Sequence, residues 1–213
     1  MPQLKHFLVA LSSLAPTIAC ANLLSNGSFE LGNFNNTDPD PRPEIMLIPQ
    51  GATNITGWTI QGSGGVHWVL DAIIASTGTY YLDLQGELAN PLSSISTSFA
   101  TTVGGLYRLS FDTFPGTQGA LNTGTVSAGS LQNQAFTGNV VPGPATHSSY
   151  TPLQYNFIAT SITPTLTFRV TGTNGFGPVI DNVVVTEVPE PHTAAMFLLG
   201  LAALALRRRA SDA

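Results

Sequence analysis

Most of this 213-residue chain alternates apolar and polar residues in a way no helix can use. Tyr107, Leu109, Phe111 and Thr113 alternate with Arg108, Ser110 and Asp112, and Leu166, Phe168 and Val170 alternate with Thr167, Arg169 and Thr171. A period of two puts each set on one face of a strand. Similar short runs lie at residues 56–61, 65–70, 79–84, 94–99, 153–157 and 180–186, and no 3.6-residue stripe interrupts them. The 21 glycines and 15 prolines supply the turns. About eight to ten strands with little helix predict an all-β fold, an antiparallel two-sheet sandwich with jelly-roll topology. Residues 33–53, with Asp38-Pro39-Asp40-Pro41-Arg42-Pro43, and residues 138–149 read as long loops, since dense proline excludes central strands.

The two ends of the chain are of a different kind. Lys5 and His6 precede an apolar stretch from Phe7 to Ala19 that leads into Ala19-Cys20-Ala21, a small-x-small cleavage site. Residues 1–21 are therefore expected to be a signal peptide, with Asn22 the new N-terminus. Lipidation of Cys20 is the alternative, weakened by Thr17 where a lipobox has Leu or Val. Cleavage after Ala21 removes the one cysteine, which leaves no disulfide and no thiolate chemistry. At the other end stand Pro189-Glu190-Pro191, an apolar run from Thr193 to Leu206, and Arg207-Arg208-Arg209. The prolines enforce an extended junction. The 14-residue run spans about 21 Å as a helix, short of the roughly 30 Å hydrocarbon core. Three arginines favour the cytoplasmic side. This order of parts resembles the PEP-CTERM sorting signal of Gram-negative envelope proteins, many from bacteria that make exopolysaccharide. The resemblance implies an exosortase-type processing enzyme as partner, transient insertion in the inner membrane through residues 193–206, and delivery to the cell envelope, surface or medium. A bare C-terminal membrane helix is the plain alternative.

Residues 22–187 are long enough for one domain with a sizeable core, and residues 188–213 form the sorting segment. The domain carries ten carboxylates against Arg42, Arg108 and Arg169. Phosphate backbones repel such a body, so nucleic acid is excluded as a partner.

Several motifs run in order: Asn26-Gly27-Ser28-Phe29-Glu30, Ile55-Thr56-Gly57-Trp58, Val66-His67-Trp68-Val69, residues 78–84 (GTYYLDL), residues 96–99 (STSF), residues 105–111 (GLYRLSF) and Val179-Ile180-Asp181-Asn182-Val183. The set resembles the choice-of-anchor C family, galactose-binding-like sandwiches joined to interchangeable anchors. Phe111 to Gly116 departs from the Gly-Asn-like turn expected there. The opening and closing motifs are also similar to those of family 4 and family 22 carbohydrate-binding modules. That resemblance implies one structural calcium ion held by Glu30 in the first strand and Asp181 in the last, and calcium suits carboxylates completed by backbone carbonyls. Otherwise the two are a surface carboxylate and a turn cap. Asp38, Asp40 and Glu44 read as solvated chain.

Polysaccharide is the expected ligand, and sugars stack on aromatic rings aided by a few polar groups. His67, Trp68 and Tyr81 are the candidate ligand-binding residues, with Trp68 also fitting a core position by parity, while Trp58, which follows Gly57 at a strand start, reads as core. Enzyme signatures are scarce: between the two ends the only histidines are His67 and His147, and no Gly-x-Ser-x-Gly elbow occurs. A carboxylate pair such as Asp83 and Asp112 is the one glycosidase arrangement left open. The expected activity is thus non-catalytic sugar binding, with a purely structural matrix or coat protein as the competing class.

Overall fold

The alternating runs become strands in the computed structural model, which describes residues 21–36, 42–86, 93–114, 122–138, 144–171, 177–189, 199–201 and 207–208. Among these residues there are eleven strands: β1 (Ile45–Ile48), β2 (Thr59–Gln61), β3 (Val66–Leu70), β4 (Tyr80–Asp83), β5 (Ser94–Ser98), β6 (Leu106–Phe114), β7 (Gly124–Ala128), β8 (Leu131–Phe136), β9 (Thr151–Ile158), β10 (Thr165–Val170) and β11 (Val179–Glu187). They form a six-stranded sheet in the order β1-β3-β4-β11-β6-β9 and a five-stranded sheet in the order β2-β5-β10-β7-β8. Every pairing between strands is antiparallel. From β4 onward successive strands alternate between the sheets except for the β7–β8 hairpin, which is the jelly-roll path.

The core lies between the sheets. On β6 the buried Tyr107, Leu109 and Phe111 face inward and meet Phe157 of β9, Phe168 of β10 and Phe136 of β8. A smaller cluster of Val69, Ala75, Tyr81, Phe114 and Val179 lies on the outer side of the six-stranded sheet. Residues 144–150 fold over it: Tyr150 packs edge-on against Phe114, and the His147 amide and Nδ1 reach Ile73 O and Ala75 O at 2.9 and 2.7 Å.

Three expectations need correction. Residues 33–53 are not all loop, because Ile45–Ile48 pairs with β3 as an edge strand; both of its faces are apolar, so no alternation marks it. Strands β7 and β8 were not anticipated, since β8 exposes Gln132, Asn133, Gln134 and Ala135 and reads as polar chain. Glu30 does not lie in the first strand but in a turn segment preceding β1. Residues 1–20, Asp38, Asp40, Glu190, Pro191, Arg209 and most of the apolar run lie outside the described residues; Pro189, Arg207 and Arg208 are described and exposed. No helix among the described residues is long and apolar enough to cross a membrane.

Candidate functional site

The opening motif builds a junction. Asn26 is buried, and its side-chain amide donates to Leu31 O and Thr56 O at 2.8 and 2.9 Å while its Oδ1 accepts from Leu31 N at 3.0 Å. The Trp58 indole N–H donates to Asn26 O at 2.8 Å, which holds that ring in the core. A Cβ on Gly27 would lie 1.8 Å from Val183 O, so only glycine lets this turn press against β11. Leu23 N donates to Val185 O and Val183 N to Gly27 O, both at 2.8 Å, laying the N-terminal segment along the last strand.

Glu30 and Asp181 converge on the loop before β4. Glu30 accepts from Thr79 N, Tyr80 N and Thr79 Oγ1 at 2.8 to 2.9 Å, and Asp181 Oδ2 accepts from Thr77 N at 2.9 Å. Asn182, with φ of 51°, sits in a bulge of β11; its N–H donates to Asp181 Oδ1 at 2.6 Å and its side-chain amide to Asp112 Oδ2 at 3.0 Å. Asp181 is fully buried, and burial pushes its carboxyl up to about 7 against the N–H donors that lower it. Two carboxylates facing one loop fit the beginning of a calcium shell, but five loop and bulge donors already occupy them. Among the described residues no group of three His, Cys, Asp or Glu could hold a metal, so backbone carbonyls would have to supply the rest.

The three expected sugar contacts separate. Trp68 is buried, with its indole N–H on Phe29 O at 3.1 Å and its ring packed on Phe34 and Tyr80, so it is a core residue and not a platform. Tyr81 belongs to the outer cluster against Phe114; burial, then the charges of Asp71, Asp83 and Glu44, push its hydroxyl far up. Both rings have their faces covered, which withdraws them from stacking. His67 is half-buried and pairs across β3 and β4 with Asp83.

Beyond Asp83 the structure adds a residue that sequence did not mark. Gln85 is 1% exposed, and neither its Oε1 nor its Nε2 has a hydrogen-bond partner. Its own N–H and that of Gly177 donate to Asp83 Oδ1 at 2.9 and 3.0 Å. A Cβ on Gly177 would lie 2.4 Å from Gln85 N and 2.6 Å from Asp83 Oδ1, so this close approach requires glycine. Burial pushes the Asp83 carboxyl up to about 7. The buried Ser93 hydroxyl, just before β5, also lacks a partner. Asp112 shares the outer face of the six-stranded sheet but pairs with Asp181, whereas Asp83 pairs with Val179. A Gln between strand and glycine reads from sequence as a solvated turn, which is why Gln85 was missed.

A sequence profile described as a protein of unknown function (DUF642) matches residues 22–186, and one described as the PEP-CTERM protein-sorting motif matches residues 187–209. A PEP-CTERM motif implies export, cell-surface sorting and exosortase processing. No curated protein matches the chain in sequence. Among solved structures, TmCBM61 in complex with β-1,4-galactotriose is 18% identical with a TM-score of 0.50, covering 79% of this chain and 99% of that one. A family 35 carbohydrate binding module from Clostridium thermocellum is 13% identical with a TM-score of 0.44, covering 65% of this chain and 95% of that one. A CBM22-1 xylan-binding domain from Paenibacillus barcinonensis is 18% identical with a TM-score of 0.42, covering 68% of this chain and 92% of that one. The first of these shares the two-sheet sandwich fold.

Proposed function

The chain belongs to the DUF642 family, and from that premise we propose that it is an exported, non-catalytic envelope or matrix protein that binds polysaccharide. The finer reading, a choice-of-anchor C-like domain, rests on the ordered motifs of the sequence alone. The observation that supports the ligand reading is the two-sheet sandwich, the fold of a module solved in complex with β-1,4-galactotriose, and the Gln85 amide, buried without a partner beside Asp83 at one end of it, marks where a ligand would engage. An unmatched buried amide costs about 1–3 kcal/mol per polar group, a cost that sugar hydroxyls, which donate and accept together, would offset once the side chains covering Gln85 move aside. Asp83, protonated below about pH 7, adds a donor, and His67 stands across the strand from it. Glu30 and Asp181 would hold the structural calcium ion, whose part is to fasten the loop before β4, away from the sugar.

A glycan array with the mature chain tests the ligand reading. The expected result is binding that Gln85→Met, which keeps the side chain's size, removes while the melting temperature stays within a degree or two. One observation favours the structural-matrix alternative: among the described residues no Trp, Tyr or Phe is fully exposed as a platform. Absence of any glycan signal at millimolar concentration would hand the protein to that class.

Processing has its own test. Replacing Pro189-Glu190-Pro191 by three alanines should leave full-length protein in the inner membrane, because the apolar run and Arg207-Arg208-Arg209 can insert but not be released. Mass spectrometry finding the intact arginines on most wild-type surface molecules would refute exosortase processing.

A further inference from the structure

The end of the sandwich where the chain leaves for its tail carries an apolar patch. Val103, Leu106, Ile158 and Ile162 are 58, 40, 49 and 69% exposed. They form one surface: Leu106 and Ile158 are cross-strand partners, and the two adjoining loops are joined by Thr101 N to Ile162 O and Gly104 N to Ala159 O, both 2.9 Å, and Ala159 N to Gly105 O at 3.0 Å. Neither residues 99–106 nor residues 158–165 contain an Asp, Glu, Lys or Arg, although the domain as a whole is strongly acidic.

Both lipid-directed segments of the chain start from this end. Val188 N donates to Leu106 O at 2.8 Å, so the outgoing chain begins against the patch itself. Five residues further on the apolar run starts at Thr193, within roughly 18 Å even if the link is fully extended. At the other terminus Leu23, itself exposed, pairs with Val185 near the end of β11, so the chain enters where it leaves.

We propose that this end is a membrane-contacting face: while the tail is inserted, Val103, Leu106, Ile158 and Ile162 rest in the interfacial layer of the lipid bilayer. The tail is a poor candidate to cover the patch. Residues 193–206 are apolar on every side, and a helix of that kind buries its whole surface in lipid, whereas a one-sided dock leaves most of it in water. Once the tail is in the membrane, the tether brings the bilayer surface to the patch. The lack of acidic side chains there removes the repulsion that an anionic leaflet exerts on the rest of the domain. Thr101, Thr102, Thr160 and Ser161 between the apolar residues suit the headgroup layer.

The test uses the full-length chain in vesicles of phosphatidylethanolamine and phosphatidylglycerol, with a nitroxide label at Ile162→Cys or, at the opposite end, Ser63→Cys, each in a Cys20→Ser background. The proposal expects relaxation by membrane-dissolved oxygen at 162 and by a water-soluble nickel complex at 63. Equal exposure of both labels to the nickel complex would overturn it. So would protection of 162 without vesicles: in a monomer that means the tail covers the patch, and in a dimer a second copy does. A Val103→Asp, Ile162→Asp variant with an unchanged melting temperature should lower vesicle partitioning about tenfold. Unchanged partitioning in that variant would also overturn the proposal.

Discussion

Asn26 and Gln85 carry the same functional group, are 4 and 1% exposed, and live opposite lives. Asn26 spends its amide on two carbonyls and one N–H and lies at the crossing of the N-terminal segment, the turn before β2 and the Trp58 indole. Gln85 spends nothing from its side chain. The contrast separates a polar group that specifies the fold from one that the fold carries at a loss, and groups of the second kind collect where a protein binds something.

The largest effect should come from Asn26. Asn26→Ala takes their side-chain partner from Thr56 O and Leu31 N, while Leu31 O keeps the Thr56 N–H at 3.0 Å, and at about 1–3 kcal/mol for each orphaned group the loss should be about 3 kcal/mol. Denaturant melts decide this, and a loss below about 1 kcal/mol would erase the distinction. Next comes calcium. If Glu30 and Asp181 share an ion, calcium at about 100 times its Kd adds roughly 2.7 kcal/mol, which raises Tm by about 5 °C or more in a domain of this size. Chelator and Asp181→Asn should each abolish the rise; a Tm indifferent to calcium would leave the five hydrogen bonds as the whole clasp.

A smaller effect tests the polar end through pH. Burial pushes the Asp83 carboxyl up to about 7 in the folded chain, against about 3.9 for the unfolded chain, so between these values the native state holds the extra proton. Stability should therefore fall as pH rises from about 4 to 7 and level off above. Asp181, also pushed up to about 7, gives a slope of the same sign, so Asp83→Asn should remove about half of it and Asp181→Asn the rest. A slope unchanged in Asp83→Asn would show that its carboxyl is not the group held protonated. The smallest effect is the most telling. Gln85→Met matches the side chain in size and removes both unpartnered atoms, so stability should hold or rise by up to about 1 kcal/mol. A large loss would mean that the Gln85 amide is bonded in solution and that the contrast with Asn26 is false.

Legibility followed periodicity. Strands with one polar face, such as β6 and β10, were readable because water and core select alternate residues. Strand β1 was hidden because both its faces are apolar, and β8 because its exposed edge position tolerates Gln and Asn. Trp58 was placed correctly from its position at a strand start, while Trp68 stayed ambiguous until Phe34 and Tyr80 were seen to cover it. Parity could not decide the face of Asp181, since the bulge at Asn182 shifts the register between Asp181 and Val184. Gln85 left no trace, because a missing hydrogen bond is a property of three-dimensional surroundings.

The position of β11 bears on how the protein leaves the cell. The last of the eleven strands lies between β4 and β6, and Leu23 and Gly27, near the start of the described residues, bond to it at Val185 and Val183. Neither half of the six-stranded sheet can join the other, nor can the N-terminal segment settle, until residues near 187 have emerged from the ribosome. Such pairing across nearly the whole sequence folds slowly. The nascent chain thereby remains threadable for as long as translocation needs it, and a chain truncated before Val179 should stay protease-sensitive however long it is left to fold.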